Sequence, residues 1–157
     1  MKNYLAALLC TLLFACGSTG TQETVSNEET NESLSPDEMQ QDSLFKAMMA
    51  IHDEVMPEMD RMYRLRRRAT TLADSLQNQP NLPVPADTLR ALARRVEEAE
   101  EAMMNWMRSN DFQFEGMEHQ EIMQKLEEEK ENISVVREEM LSSIEEAEEA
   151  LAQFDEE

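Results

Sequence analysis

The sequence predicts an all-α fold, an elongated antiparallel three-helix bundle, from three observations. The chain of 157 residues has only three glycines and eight aromatic residues (five Phe, two Tyr, one Trp), a composition unlike β-sandwiches, β-barrels and nucleotide-binding α/β folds. Apolar residues recur at alternating intervals of three and four in three segments, as in amphipathic helices. Each segment has one main apolar stripe, and three such stripes can be buried only against one another. The domain should span 36–157, with helices at about 36–79, 86–108 and 118–154.

Residues 1–15 have the pattern of a cleaved secretion signal. Lys2 precedes an apolar run from Tyr4 to Ala15, which is shorter than the ~20 residues that a transmembrane helix needs. The run ends in Leu13-Phe14-Ala15-Cys16, a motif that resembles the lipobox of bacterial lipoproteins. The resemblance implies cleavage before Cys16, attachment of a diacylglycerol to its sulfur and acylation of the new N-terminus. An ordinary secretion signal with an incidental cysteine is the alternative.

A lipid on Cys16 would place the protein in the cell envelope, because two or more acyl chains hold a protein stably on a bilayer. Gly17, rather than aspartate, follows the cysteine, and this resembles the pattern of lipoproteins sorted to the outer membrane. We therefore expect a periplasm-facing anchor in the outer membrane, with the inner membrane and the cell surface as alternatives. With its cysteine lipidated, the cleaved chain would have neither a disulfide nor a thiol nucleophile.

Residues 16–35, which begin at the lipidated cysteine, are expected to form a disordered acidic tether. Between Gly17 and Leu34 the side chains are polar except for Val25 and Leu34 itself. So little apolar surface cannot offset the entropy lost when a backbone is ordered. A tether of this length has a typical end-to-end distance of ~25 Å.

The first helix is expected to begin at Ser35-Pro36-Asp37-Glu38. Serine can cap the helix, proline fits the first helical position, and Glu38 completes a capping box. The main apolar stripe then runs from Leu44 to Leu76, with Pro57 inside it. Because proline has no N–H to donate to the carbonyl of Asp53, we expect the helix to kink there.

A proline-rich connector, 80–85, separates the first helix from the second, whose apolar stripe runs from Leu89 to Trp106. The segment Ser109–Gly116 lacks helical periodicity and should be a loop. Its Phe112 and Phe114 are expected to cover the part of the first helix that the shorter second helix does not reach. The third helix should begin beside about Lys46 and run down the whole bundle.

The net charge of −20 argues against nucleic acid as a partner and against spreading on an anionic lipid surface. Arginines are concentrated in the first two helices and should face the acid-rich half of the third. Eight residues make up this set: Arg61, Arg64, Arg66, Arg67, Arg68, Arg90, Arg94 and Arg95. Pairing with nearby acids is the expected role, and a patch for phosphate or lipid headgroups is the alternative.

Methionine is expected to gather at one end of the bundle. The first helix has a second stripe, which consists of Phe45, Met49, His52, Met56, Met59 and Tyr63. The expected register brings residues of the other two helices to the same height. These residues are Met103, Met104, Trp106 and Met107 of the second helix, and Met117, His119 and Met123 of the third.

Three interpretations of this cluster stay open. Methionine fills irregular space, so the cluster can be ordinary core packing beside the kink. Methionine also forms adaptable contact surfaces, which fits a scaffold, an interaction module or a chaperone-like binder of envelope clients. Thioethers and imidazole prefer Cu(I), which fits a periplasmic soft-metal site.

The candidate interaction residues are Phe45, Met49, Met56, Met104 and Trp106. The candidate Cu(I) ligands are Met49, His52, Met56, Met59, Met103, Met107 and His119. Outside the copper alternative we expect no cofactor. We also expect no enzymatic activity, since the sequence has no Gly-rich phosphate loop and the consecutive side chains of His52-Asp53-Glu54 point in different directions on a helix.

The segments Met49–Met59 and Met103–Met107 resemble a group of short helical bacterial lipoproteins that often carry the label "viral A-type inclusion protein". The resemblance implies a helical, membrane-tethered envelope protein and transfers no catalytic residue. We therefore expect a lipid-anchored interaction or scaffold module. Its partner would be an envelope protein or a second copy of the chain.

Overall fold

The computed structural model describes residues 34–77, 79, 83–110 and 112–155, and this part of the chain is helical with no β-strand. Its elements are α1 (Pro36–Val55), a 3₁₀ turn (Met56–Glu58), α2 (Met59–Leu76), α3 (Ala86–Ser109) and α4 (His119–Ala152). The all-α prediction is confirmed. The predicted signal peptide, Cys16 and all but the last two residues of the predicted tether lie outside the described residues.

The first predicted helix corresponds to α1, the 3₁₀ turn and α2 together. Pro57 is in the 3₁₀ turn, where it offers no N–H to the carbonyl of Asp53. The N–H of Met59 instead bonds to the carbonyl of Met56, and regular α-helix resumes from there. The break expected at Pro57 is thus a single tight turn between two α-helices.

The capping box at the start of α1 is present as predicted. Ser35 Oγ accepts the N–H of Glu38 at 3.3 Å, and Glu38 Oε2 accepts the N–H of Ser35 at 2.7 Å. These hydrogen bonds favour the ionised carboxylate, so they lower the pKa of Glu38 below its usual value.

α4 runs parallel to α1 and α2. Arg137 of α4 bonds to Glu54 of α1 at 2.7 Å, and Glu148 of α4 bonds to Arg61 of α2 at 2.7 Å. The higher-numbered residue of α4 pairs with the higher-numbered residue of the α1–α2 segment, as expected for helices that run in the same direction.

α3 runs antiparallel to α2. Arg66 bonds to Glu100 at 2.9 Å, whereas Asp74, further along α2, pairs at 3.3 Å with Arg90 near the start of α3. The chain therefore runs up through α1 and α2, down through α3 and up again through α4, so the three helical segments alternate in direction.

The core forms two clusters, and their compositions differ. The larger cluster, along α1, the start of α2, the second half of α3 and most of α4, contains the fully buried Met48, Met62, Met103 and Met140. The smaller cluster lies around the α2–α3 connection and the end of α4, and its buried residues are alanine, valine and leucine. Methionine is thus concentrated in one part of the bundle, as the sequence predicts. Among the described helices, none is both long enough and apolar enough to cross a membrane.

Candidate functional site

His52 of α1 and Trp106 of α3 lie in contact. Their ring centroids are 5.7 Å apart and the ring planes are inclined by 31°. The two residues are far apart in sequence and meet because α3 ends at this height of the bundle. The predicted convergence of the first and second helical segments is therefore confirmed.

Aromatic contacts extend from this pair into the loop after α3. The ring of Phe112 lies 6.2 Å from that of Trp106, and it meets the ring of Phe45 edge-on at 5.2 Å. Phe112 and Phe114 both pack against the larger core cluster. The loop thus covers α1 beyond the end of α3, as predicted.

Trp106 is buried, with 6% of its surface exposed. Its indole Nε1 is enclosed and has no hydrogen-bond partner among the described residues. An enclosed N–H without an acceptor costs about 1–3 kcal/mol. Trp106 therefore contributes through the contacts of its ring, and its enclosed N–H is not accessible to an acceptor outside the bundle.

His52 is a half-buried residue whose side chain is 16% exposed. Its Nδ1 lies 2.9 Å from Asp53 Oδ1, so Nε2 is the ring nitrogen that stays available to a ligand. Met56 lies one turn further along the same face of the helix. Imidazole and thioether side chains one turn apart can both reach one ion.

His119 is placed elsewhere, and this corrects the expected metal set. Its Nδ1 is 2.9 Å from Gln41 Nε2, and its Nε2 is 4.0 Å from Asp37 Oδ1. From position 41 to His52 is 11 residues, or about 16 Å along a helix. The structure thus separates the two histidines that the sequence analysis assigned to one site. The same contacts show that α4 begins beside Asp37 and Gln41, more than a turn beyond the expected position at Lys46.

The candidate methionines divide into two groups by burial. Met103 is fully buried in the core, so it faces no solvent from which a metal or a partner could reach it. Met49, Met56, Met59 and Met107 are half-buried against the larger cluster. The described residues contain no group of three or more His, Cys, Asp or Glu side chains placed to hold a metal ion.

Six residues of the α1–α2 segment and of the end of α3 keep part of their surface exposed. We call this set the methionine seam. It consists of the half-buried Met49, Met56, Met59 and Met107, the 40% exposed Met104 and the 48% exposed Tyr63. Its position follows from the antiparallel register of α2 and α3. It is the part of the candidate site that another molecule can reach.

An ion pair between Arg66 of α2 and Glu100 of α3 lies next to Tyr63, at one end of the seam. The side chain of Glu100 is 13% exposed, and its Oε1 has no partner among the described residues. Burial disfavours the charged form and raises the pKa of Glu100, although Arg66 opposes this shift. Arg66 also lies 5.5 Å from the centre of the Tyr63 ring, so it connects the ion pair to the seam.

The arginines of the first two helical segments are largely paired with acids, as expected. The pairs are Arg61 with Glu58 and Glu148, Arg66 with Glu97 and Glu100, Arg68 with Asp155, Arg90 with Asp74 and Asp87, and Arg95 with Glu146. Arg68, Arg61 and Arg95 reach α4, which confirms that its acid-rich half lies beside them. Arg64, Arg67 and Arg94 form no ion pair with the described residues.

One feature of the site, the buried carboxylate of Glu100, was not predicted from the sequence. Glu100 lies on the face of α3 turned toward α2, and only the register of the two helices shows that its carboxylate is buried.

Comparison with protein-family models, with curated proteins and with solved structures gave no match. The function is therefore argued from the residues of this chain.

Proposed function

We propose that the protein is a lipid-anchored envelope protein whose helical bundle serves as an interaction module. The anchor rests on the sequence Leu13-Phe14-Ala15-Cys16, and the module rests on the methionine seam. The anchored bundle would present this seam to a partner in the periplasm.

The anchor is tested by labelling growing cells with a radioactive fatty acid. The protein should incorporate the label, and Cys16→Ala should abolish incorporation. Cys10→Ala is the matched control, because Cys10 lies inside the apolar run rather than at the end of the motif. Equal labelling of the wild type and Cys16→Ala would contradict the proposal.

The observation that carries the interaction module is the exposure of the seam. Five methionines and one tyrosine of the α1–α2 segment and the end of α3 keep part of their surface in water, whereas Met48, Met62 and Met103 are fully buried. Flexible thioether side chains adapt to differently shaped apolar partners. An envelope protein or a second copy of the chain, presenting an apolar helix face, fits such a surface.

The module is tested by placing a photo-crosslinking amino acid at Met104. Its 40% exposure makes it accessible without disturbing the core, and Val135, 47% exposed on α4, is the matched control position. We expect one dominant crosslinked product from Met104, absent from Val135 and lost when Met56 and Met59 are replaced by glutamine. A product of twice the chain mass would identify self-association. No product from Met104, or the same product from Val135, would refute the interaction module.

A soft-metal site is the second candidate, favoured by the position of His52 beside Met56 and against Trp106. Imidazole and thioether together suit Cu(I), and the indole ring is placed to contact a bound cation. Because Trp106 is the single tryptophan of the chain, its fluorescence reports on this site directly. Cu(I) at one equivalent should quench the emission of the wild type, and His52→Ala with Met56→Ala should weaken binding at least tenfold. Unchanged binding in that double variant would exclude the site.

A further inference from the structure

A cavity with aromatic walls opens beside the loop between α3 and α4. Its volume is about 310 Å³, and Phe45, Phe112 and Phe114 line it. All three rings are half-buried, so part of each remains exposed. Leu126 of α4, 1% exposed, also lines it. This volume lies within the range of sites for small molecules.

The walls of this cavity are held in a fixed arrangement. Phe45 and Phe112 meet at an interplanar angle of 85°, so their rings form two adjacent walls at a right angle. Phe112 also packs 6.2 Å from the buried Trp106, which ties the loop to the core. A ligand would therefore meet rings that are already in position and would spend little free energy on ordering them.

Carboxylates border the aromatic walls. Glu38 and Asp42 of α1 line the same cavity. Glu38 forms no ion pair with the described residues, and its hydrogen bonds with Ser35 lower its pKa and keep it ionised. Asp42 pairs with Lys46 at 2.6 Å, but the lysine side chain is 73% exposed, so the pair is weak and easily replaced. The border of the cavity therefore carries two carboxylates and two lysines, Lys46 on Asp42 and Lys125 beside Phe114, and a ligand cation would compete with these lysines for Asp42 and for the ring.

Aromatic faces next to carboxylates are the combination that recognises organic cations. We propose that this cavity binds a quaternary ammonium group, either in a free small molecule or in the headgroup of a lipid. The methyl groups would contact Phe45, Phe112 and Phe114, and the charge would face Glu38 and Asp42. Lys125 Nζ already lies 5.6 Å from the centre of the Phe114 ring, so a ring of this cavity is engaged by a cation in the protein itself. The net charge of −20 adds a long-range attraction for cations.

The first arm of the test measures binding of choline to the purified protein by NMR. Methyl protons above aromatic faces are shielded, so the choline methyl signal should move upfield with saturation. The neutral isostere 3,3-dimethylbutan-1-ol has the same shape without the charge, and it should bind at least fivefold more weakly. Equal binding of choline and the isostere would overturn the proposal, because the cavity would then be a simple apolar cleft.

The second arm uses two matched substitutions. Phe114→Leu keeps an apolar side chain of the loop but removes an aromatic face, and it should weaken choline binding by about fivefold or more. Phe154→Leu is the control, since Phe154 is also half-buried but packs against the smaller cluster at the other end of the bundle. Circular dichroism checks that both variants are folded. Choline binding unchanged in Phe114→Leu would overturn the proposal.

The third arm distinguishes the two sources of the ammonium group. Vesicles of phosphatidylcholine and of phosphatidylglycerol are sedimented with the polypeptide from Gly17 onward, which lacks the proposed lipid and so cannot bind vesicles through it. Binding to the first alone, lost in Phe114→Leu, assigns the cavity to a lipid headgroup, whereas binding of choline without vesicle binding assigns it to a free ligand. Binding of neither choline nor phosphatidylcholine overturns the proposal and leaves the methionine seam, on other residues, untouched.

Discussion

Replacing Arg66 by methionine removes the cation that neutralises a mostly buried carboxylate. Glu100 has 13% of its side chain exposed, and one of its oxygens has no partner among the described residues. The methionine keeps the apolar stem of Arg66 but leaves Glu100 charged and poorly solvated. We therefore expect Arg66→Met to destabilise the bundle through Glu100 rather than through lost packing.

The size of this effect follows from the exposure of the two side chains. Exposed ion pairs contribute about 0–1 kcal/mol, and removing one partner of a fully buried pair costs about 3–5 kcal/mol. The pair of Arg66, 27% exposed, with Glu100 lies between these limits, so we expect a loss of about 2 kcal/mol at pH 7. For a domain of this size that corresponds to a fall in Tm of roughly 6–10 °C.

The loss should become smaller at lower pH. Burial raises the pKa of Glu100, so the folded protein binds this proton more tightly than the unfolded chain does. Without Arg66 the pKa rises further, and acidification from pH 7 to pH 5 should recover part of the lost stability relative to the wild type. Adding Glu100→Gln to Arg66→Met should restore most of the stability that Arg66→Met loses, because the amide carries no charge.

Urea unfolding followed by circular dichroism at pH 7 and pH 5 measures these differences. Arg95→Met is the matched control, because Arg95 and Glu146 form an ion pair with side chains that are 55% and 38% exposed. It should cost less than about 1 kcal/mol at either pH. A cost of Arg66→Met no larger than that of Arg95→Met, or a cost that is the same at both pH values, would contradict a buried charge on Glu100.

Three further predictions concern stability and are checked by the same unfolding measurement. Ile133→Ala, at a fully buried position of α4, should cost about 2–5 kcal/mol, and a cost below 1 kcal/mol would contradict its place in the core. Ser143→Ala should change the free energy of unfolding by less than about 1 kcal/mol, because the buried hydroxyl of Ser143 bonds only to the carbonyl of Met140 in the same helix. Ser143→Leu should cost about 1–3 kcal/mol, because the larger side chain overpacks the core. Ser35→Ala should cost about 0.5–2 kcal/mol through loss of the cap on α1; no loss would show that this end of the helix is frayed in solution.

The helical architecture was predictable because local rules and the apolar pattern agree. Ser35 and Glu38 fix the first helix start, Pro57 fixes the break, and the stripe of each segment leaves one face to bury. The register of α2 and α3 followed from the short proline-rich connection. The contact of His52 with Trp106 could be predicted for this reason.

The height at which α4 begins was not predictable from its own sequence. The loop 110–118 has no regular rise, and its path is set by where Phe112 and Phe114 find apolar partners. The expected start at Lys46 was therefore too low, and His119 contacts Gln41 and Asp37 instead. Burial of individual side chains on a correctly predicted stripe, such as that of Met103, likewise depends on the neighbouring helices.

The most direct test of the candidate site is the fluorescence of Trp106 with and without the ring of His52. Trp106 is the single tryptophan of the chain, it is 6% exposed, and the ring of His52 lies 5.7 Å from its own. His52→Ala removes this ring and opens the indole to water, so the emission maximum should move to longer wavelength, whereas His119→Ala should leave it as in the wild type. An unchanged maximum in His52→Ala, or the same shift in His119→Ala, would show that α1 and α3 do not bring His52 and Trp106 together.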